Sequence, residues 1–245
     1  MDELLIISPL FPPMEGGLPD HTDRLAHALL PLRPVRVLTS TGADSARPFP
    51  VEASITRWQA RPQVEQAVAR TGTGPVLWQY VPHMYGRGGV NLTLPGILAG
   101  LRRSGRHQLL LAHEIRAPLS LWPQRLAYAL AHRWMWRGIR PCADAIGIST
   151  AGWLESCRAE DPRADAYFLA PSPSNLPVAE TSPSHAADWR AARQLDSARL
   201  VLGFFGSTGG GKQFDWVLEA WRRVSAWEPG CALVVIGGGR GIRLP

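Results

Sequence analysis

Short, unbroken apolar runs, each followed by a glycine- or proline-rich turn and then a helical stripe, constrain this chain more than any other feature. The first run, residues 4–7, ends at Ser8-Pro9 and leads into a loop holding Pro12, Pro13, Gly16 and Gly17. Beyond it Thr22, Leu25, Ala26 and Leu29 recur at i, i+3, i+4 and i+7. Asp20 and Asp23 fall early, where the positive end of a helix favours carboxylates. The alternation continues with strands expected at 35–38, 76–80, 109–112, 145–148 and 167–169. Helices are expected around Leu94, Ile97, Leu98 and Leu101, over 119–137 and over 151–158. Strands that are apolar throughout, with helices between them, are buried on both faces as parallel strands are. The expectation is an α/β fold with a doubly wound parallel sheet.

At 245 residues the chain has room for one large domain or two modest ones, and its 45% hydrophobic and 19% charged content is that of a globular protein. Composition shifts after residue 171. Pro171, Pro173, Pro177 and Pro183, with Ser and Thr between them, mark 172–198 as a linker carrying a short helix near 189–195. A strand at 200–205, a glycine loop at 206–211, a helix presenting Phe214, Val217, Leu218 and Trp221, and a strand at 232–236 follow. The expected organisation is a domain over 1–171, the linker, and the start of a second Rossmann-like domain over 199–245. The last piece falls within the roughly 40–60 residues at which a lone domain is marginal, so the second domain is expected to be truncated.

Several classes lose support early. No run approaches the roughly 20 apolar residues of a membrane-spanning helix, and the N-terminus lacks the cationic start and cleavage site of a signal peptide. A cytoplasmic location is expected. Cys142, Cys157 and Cys231 are odd in number and far apart, which argues against a disulfide framework or zinc site. No H-x-x-x-H or G-x-S-x-G element supports a zinc or serine hydrolase. The formal charge of +6 suits an anionic partner, although arginine usage through coding bias explains it as well; of 26 basic residues only Lys212 is lysine.

Chemistry concentrates at loops that follow strands. Gly16-Gly17 and the loop from Gly206 through Ser207 to Lys212 each lie between a strand and a helix, where free backbone N–H groups and the helix dipole can hold a phosphate. A simple tight turn explains the first loop equally. The second matches G-x-x-x-x-G-K, but Gln213 stands where a P-loop needs Ser or Thr for magnesium, and no acidic residue ends strand 232–236. Lys212 can still neutralise a diphosphate as a point charge. His113-Glu114 follows the strand at 109–112, at the end of the sheet where open α/β folds bind ligands. His113 can hydrogen-bond a sugar or phosphate and Glu114 can take a proton or a hydroxyl; a structural histidine is the alternative. The segment from Trp78 through Tyr85-Gly86 offers aromatic and amide groups that suit either sugar recognition or core packing. Trp122, Trp134 and Trp136 with Arg125, Arg133 and Arg137 mark 119–137 as a helix able to rest on an anionic membrane surface, or, as we favour, a core helix with arginines at its rim.

Together these segments resemble the GT-B glycosyltransferases of family 4. The resemblance rests on Phe11-Pro12-Pro13 with Gly16-Gly17, on Gln79-Tyr80-Val81-Pro82 with Tyr85-Gly86, on His113-Glu114, and on Gly203-Phe204-Phe205-Gly206 running to Lys212. It implies a retaining transfer of sugar from a nucleotide-sugar donor to a glycan or lipid-linked acceptor, typically in surface-polysaccharide or lipid-linked glycan assembly. It implies further that the loop at Gly17 approaches the donor phosphates, that His113 contacts the transferred sugar, and that Lys212 neutralises the diphosphate. No cofactor or metal is called for, since the nucleotide sugar is a substrate; nucleic acid is not an expected partner. Two departures stand out. The arginine that often follows the glycine matching Gly206 is replaced here by Ser207 or Thr208, and the family's paired glutamates would lie beyond Pro245. Transfer by the 245-residue form is therefore expected to be impaired. Two rival readings are a non-catalytic module binding a glycan or partner, and a P-loop nucleotide-binding protein.

Overall fold

Leu4–Ile7 forms β1 with all four side chains buried, which an unbroken apolar tetrapeptide achieves only with protein on both faces. A computed structural model of the chain describes residues 2–176, 178–206, 208 and 213–237. It separates into two compact units, Met1–Pro177 and Val178–Pro245. In the first, β1 is followed by α1 (Gly17–Leu29), β2 (Val35–Ser40), β3 (Val51–Ile55), α2 (Arg61–Ala69), β4 (Val76–Tyr80) and α3 (Leu94–Arg103). Then come β5 (Gln108–Ala112), α4 (Pro123–Ile139), β6 (Ala145–Ile148), α5 (Ala151–Glu160) and β7 (Tyr167–Leu169). The seven strands form one sheet in the order β3-β2-β1-β4-β5-β6-β7, every pairing parallel. β1 is an interior strand, pairing Leu4 with Val35 of β2 and Leu5 with Val76 of β4.

Alternation of side chains along each strand divides the core between the two faces of the sheet. Leu5, Ile7, Trp78, Tyr80, Leu110 and Ile146 share one cluster with residues of α2, α3, α4 and α5. Leu4, Ile6, Val35 and Val37 share another with Ala26 of α1 and the loop residues Phe11 and Phe49. The aromatic residues at the end of β4 are core: Trp78 donates its indole N–H to Gln108 at 3.0 Å, and Tyr80 and Tyr85 stack at 6.1 Å. At Gly86 a Cβ would lie 2.2 Å from the Val90 carbonyl oxygen, so only glycine fits that approach of chain to chain.

Two elements went unread in the sequence, β3 and α2. β3 is an edge strand containing Glu52 and is only half-buried, and α2 buries just Val64, Ala67 and Val68. The helix expected over 119–137 begins later, at Pro123, because proline suits a first helical position and biases Trp122 before it to extended backbone. It buries Ala129, His132, Met135, Trp136 and Ile139, as the core-helix reading expects, while Trp122 and Trp134 remain exposed.

The second unit holds α6 (Pro183–Ala191), β8 (Leu200–Phe205), α7 (Phe214–Trp227) and β9 (Cys231–Ile236). α6 starts ahead of the position expected near 189–195, because the Ser182 hydroxyl caps it by accepting the His185 N–H at 3.2 Å and Pro183 opens its first turn. β8 and β9 pair in parallel across α7, a βαβ unit.

Candidate functional site

The strand order places the point where connections reverse direction between β1 and β4, and open α/β sheets bind ligands outside the carboxyl ends of strands at such a point. Three segments meet there. The first is the loop after β1. Gly16 sits at φ 147° ahead of α1, whose start has no side-chain cap. The first-turn N–H groups of α1 are therefore open to an anion. Ser8, buried at the end of β1, ties this loop to the helix through Thr22, which donates to its hydroxyl at 3.2 Å. Asn175 donates to the Gly17 carbonyl at 2.7 Å.

The second segment is the end of β4, where Gln79 is fully buried. The third is His113, just past β5. His113 Nε2 donates to Gln79 Oε1 at 2.7 Å, and its Nδ1 lies 2.9 Å from the hydroxyl of Ser172. The amide nitrogen of Gln79 reaches His21 Nδ1, on the second turn of α1, at 3.4 Å. The two imidazoles also meet edge to face at 4.9 Å. Four side chains from α1, β4 and the segments after β5 and β7 thus form one hydrogen-bonded chain, His21–Gln79–His113–Ser172.

Electrostatics keep both rings neutral. Burial, with a smaller contribution from His21, pushes His113 down to about 4, and burial lowers His21 as well. His113 is engaged at every polar atom: its backbone N–H donates to the Tyr80 carbonyl at 3.0 Å and its carbonyl accepts from Ser149 at 3.0 Å. His21 is not. With Nδ1 accepting from Gln79, its proton sits on Nε2, which has no partner among the described residues and is not sealed off.

His21 also lines a groove of about 470 Å³ with Arg24, Leu25, Ala28, Leu111 and the segment from Ala170 to Asn175. Glu114 goes elsewhere. Exposed, it lines a separate cleft of about 370 Å³ with His83, Arg116, His132 and Trp153. His113 and Glu114 are adjacent in sequence, yet they serve different surroundings.

Gly206, at φ 127°, ends β8 and donates to the Ile236 carbonyl at 2.9 Å. Ser207 and Lys212 lie outside the described residues, as do Gly209 to Gly211. The three cysteines are free, Cys142 and Cys157 buried; burial pushes the Cys157 thiol up to about 11. Sequence reasoning singled out His113 but missed His21 and Ser172. A histidine just inside a helix that opens on a glycine pair was the available signal for His21.

No protein-family model matches the sequence, and no curated protein is similar to it in sequence. Solved structures are similar in fold. HepE of Anabaena, in complex with UDP-glucose, superposes with a TM-score of 0.58 at 15% identity over 96% of this chain and 69% of its own. MnaA of S. aureus, with UDP, gives 0.59 at 10% identity over 98% of this chain and 63% of its own. A ugt transferase from Siraitia grosvenorii, also with UDP, gives 0.54 at 13% identity over 98% and 74%. At these identities the likeness establishes the fold, which is the doubly wound, Rossmann-like architecture of GT-B proteins.

Proposed function

We propose that this chain is a glycosyltransferase of the retaining family 4 type, moving a sugar from a nucleotide-sugar donor to a glycan or lipid-linked acceptor on the cytoplasmic side of a membrane. The observation that carries the reading is the His21–Gln79–His113–Ser172 chain, set at the strand ends beside the uncapped start of α1. That arrangement supplies neutral donors and backbone N–H groups where a diphosphate sugar would lie, and such preorganised groups stabilise charge developing on a departing diphosphate. Titratable groups with strongly shifted proton affinity at a sheet end are themselves a mark of a functional site.

In this reading residues 1–171 are the acceptor-side domain, 172–198 a linker and 199–245 belong to the donor domain. Gly16 and Gly17 serve the donor phosphates; Gly206 and Ser207 are further donor-binding residues, and Lys212 neutralises the diphosphate. His113 orients the transferred sugar's surroundings while His21 offers a ring N–H to a sugar or phosphate oxygen. Glu114, in its separate cleft, accepts a hydrogen bond from an acceptor hydroxyl. Retention and family 4 membership come from the motif resemblance. No cofactor enters this reading.

The test is calorimetric titration of the 245-residue chain with UDP-, GDP- and ADP-sugars. Binding of at least one is expected, weakened by about tenfold in Lys212→Ala, the scale of one charge-assisted contact of about 1.5–3 kcal/mol. Failure to bind any of the three overturns the donor reading. Binding of a glycan acceptor alone would then favour the non-catalytic module.

A further inference from the structure

A recess between α4, the loop after β5 and the end of α5 holds more positive charge than its neighbours balance. Its volume is about 330 Å³, and Arg116, Arg133, Trp136, Arg137, Arg140 and Glu160 line it. That is the lower end of the range for small-molecule sites, roughly 300–1,000 Å³. Four guanidinium groups therefore face one carboxylate, and that carboxylate is committed: Arg116 holds Glu160 in a two-pronged pair at 2.8 and 2.6 Å. Arg140 lies 3.5 Å from Asp161, whose charge Arg163 shares at 3.4 Å. Arg133 spends only Nη1, on the neutral carbonyls of Ala117 and Ala129 at 3.0 and 2.9 Å, so its Nε and Nη2 have no partner among the described residues. The Arg137 guanidinium has none there either.

Depth narrows the kind of anion that could enter. The Arg116 and Arg140 side chains are each 19% exposed and Trp136 is 1% exposed, so of the four arginines only Arg137 stands open at the rim. The buried indole N–H of Trp136 has no partner among the described residues. Burial lowers Arg133, and the like charges of Arg116 and Arg137 lower it further. The Arg116 bond, joined by the charges of Arg140 and Arg137, holds the Glu160 carboxyl below its usual range. A flat charged surface would meet Arg137 and leave the recessed donors unused. A halide would satisfy one guanidinium, whereas a tetrahedral oxyanion offers several acceptor oxygens that planar, fork-shaped donors can share.

We propose that this recess is a binding site for a small soluble anion of the phosphate or diphosphate class, held by Arg133 and Arg140 within and by Arg137 at the rim. The site does not rest on the sugar chemistry. It shares Arg116 with the Glu114 cleft, but no residue with the groove beside His21 or with the two glycine loops assigned to the donor. Loss of anion binding here and loss of nucleotide-sugar binding are therefore separate results.

The experiment is calorimetric titration of the 245-residue chain with inorganic pyrophosphate. Binding is expected in the parent chain, and Lys212→Ala is expected to keep it, because the recess makes no use of the second glycine loop. Arg137→Gln should weaken it about tenfold, the scale of one lost charge-assisted contact. Arg137→Lys should restore only part of that loss, since an ammonium is a point charge without the fork. Arg133→Gln should weaken binding as well, with circular dichroism checking that the fold is kept. Arg125→Gln, exposed on the same helix and outside the recess, should leave the affinity unchanged. A parent chain that takes no pyrophosphate overturns the proposal. So does binding that Lys212→Ala abolishes and Arg137→Gln leaves intact, which would put the anion at the glycine loop. Equal losses in Arg125→Gln and Arg137→Gln overturn it too, since the response would then belong to the net charge of the surface.

Discussion

Every residue of β1 is buried, whereas none of β8 or β9 is, although all three are short apolar strands bordered by glycine loops. β1 has strands on either side and helices or loops on both faces; β8 and β9 have one another and α7. Burial is thus a property of the neighbours a strand acquires. Apolarity alone says that a segment needs cover, and does not say how much it finds.

The widest break between the two units should come from truncating matched aromatics. Trp78→Ala in β4 removes a side chain that is 1% exposed and bonded to Gln108. It is expected to cost about 3–5 kcal/mol in urea denaturation. Phe205→Ala in β8, where the ring is 66% exposed, is expected to stay within about 0.5 kcal/mol. Equal losses would mean that the two strands are covered alike.

A smaller effect sharpens the comparison at the backbone. Gly86→Ala forces a Cβ against the Val90 carbonyl in the first unit, and a cost of about 1–3 kcal/mol is expected. Gly203→Ala in β8 meets no atom of the described residues within 4 Å, so a denaturation midpoint close to that of the parent chain is expected. A destabilisation as large as that of Gly86→Ala would show cover over β8.

A further effect is one of pH. Burial holds His113 down at about 4, against roughly 6.5 in an unfolded chain, so the unfolded state binds more protons between those values. The contribution of the neutral ring is full above about pH 6.5 and is lost as pH falls towards 4. Denaturation midpoints of the first unit should therefore fall across that window, and His113→Asn should flatten the slope. A slope that survives the substitution unchanged would remove His113 as its source.

Much of this architecture was legible because a doubly wound sheet leaves a periodic trace. The strands at Leu4–Ile7, Val76–Tyr80, Ala145–Ile148, Tyr167–Leu169 and Leu200–Phe205 carry no polar interruption beyond Gln79 and the glycines. Val51–Ile55 left no such trace, since Glu52 pairs with Arg70 on an exposed edge and Ser54 bonds Glu52 at 3.0 Å. The site was only half legible for a related reason. A histidine after a strand announces itself, but Gln79 lies within an apolar run, His21 within a helix and Ser172 within a proline-rich stretch. Their meeting depends on strand order, which no local pattern encodes.

Gln79 has one consequence of its own. A primary amide carries an acceptor on one side and a donor on the other, and each imidazole it touches must present the complement. Turning the amide over would give His113 a donor and His21 an acceptor, so both rings would pass from the Nε2–H to the Nδ1–H tautomer together. His21 would then offer a lone pair in place of an N–H, and Ser172 would accept from His113 instead of donating to it. The end of β4 is in this sense a two-position connector, through which a proton arrangement chosen after β7 is read out as polarity on α1.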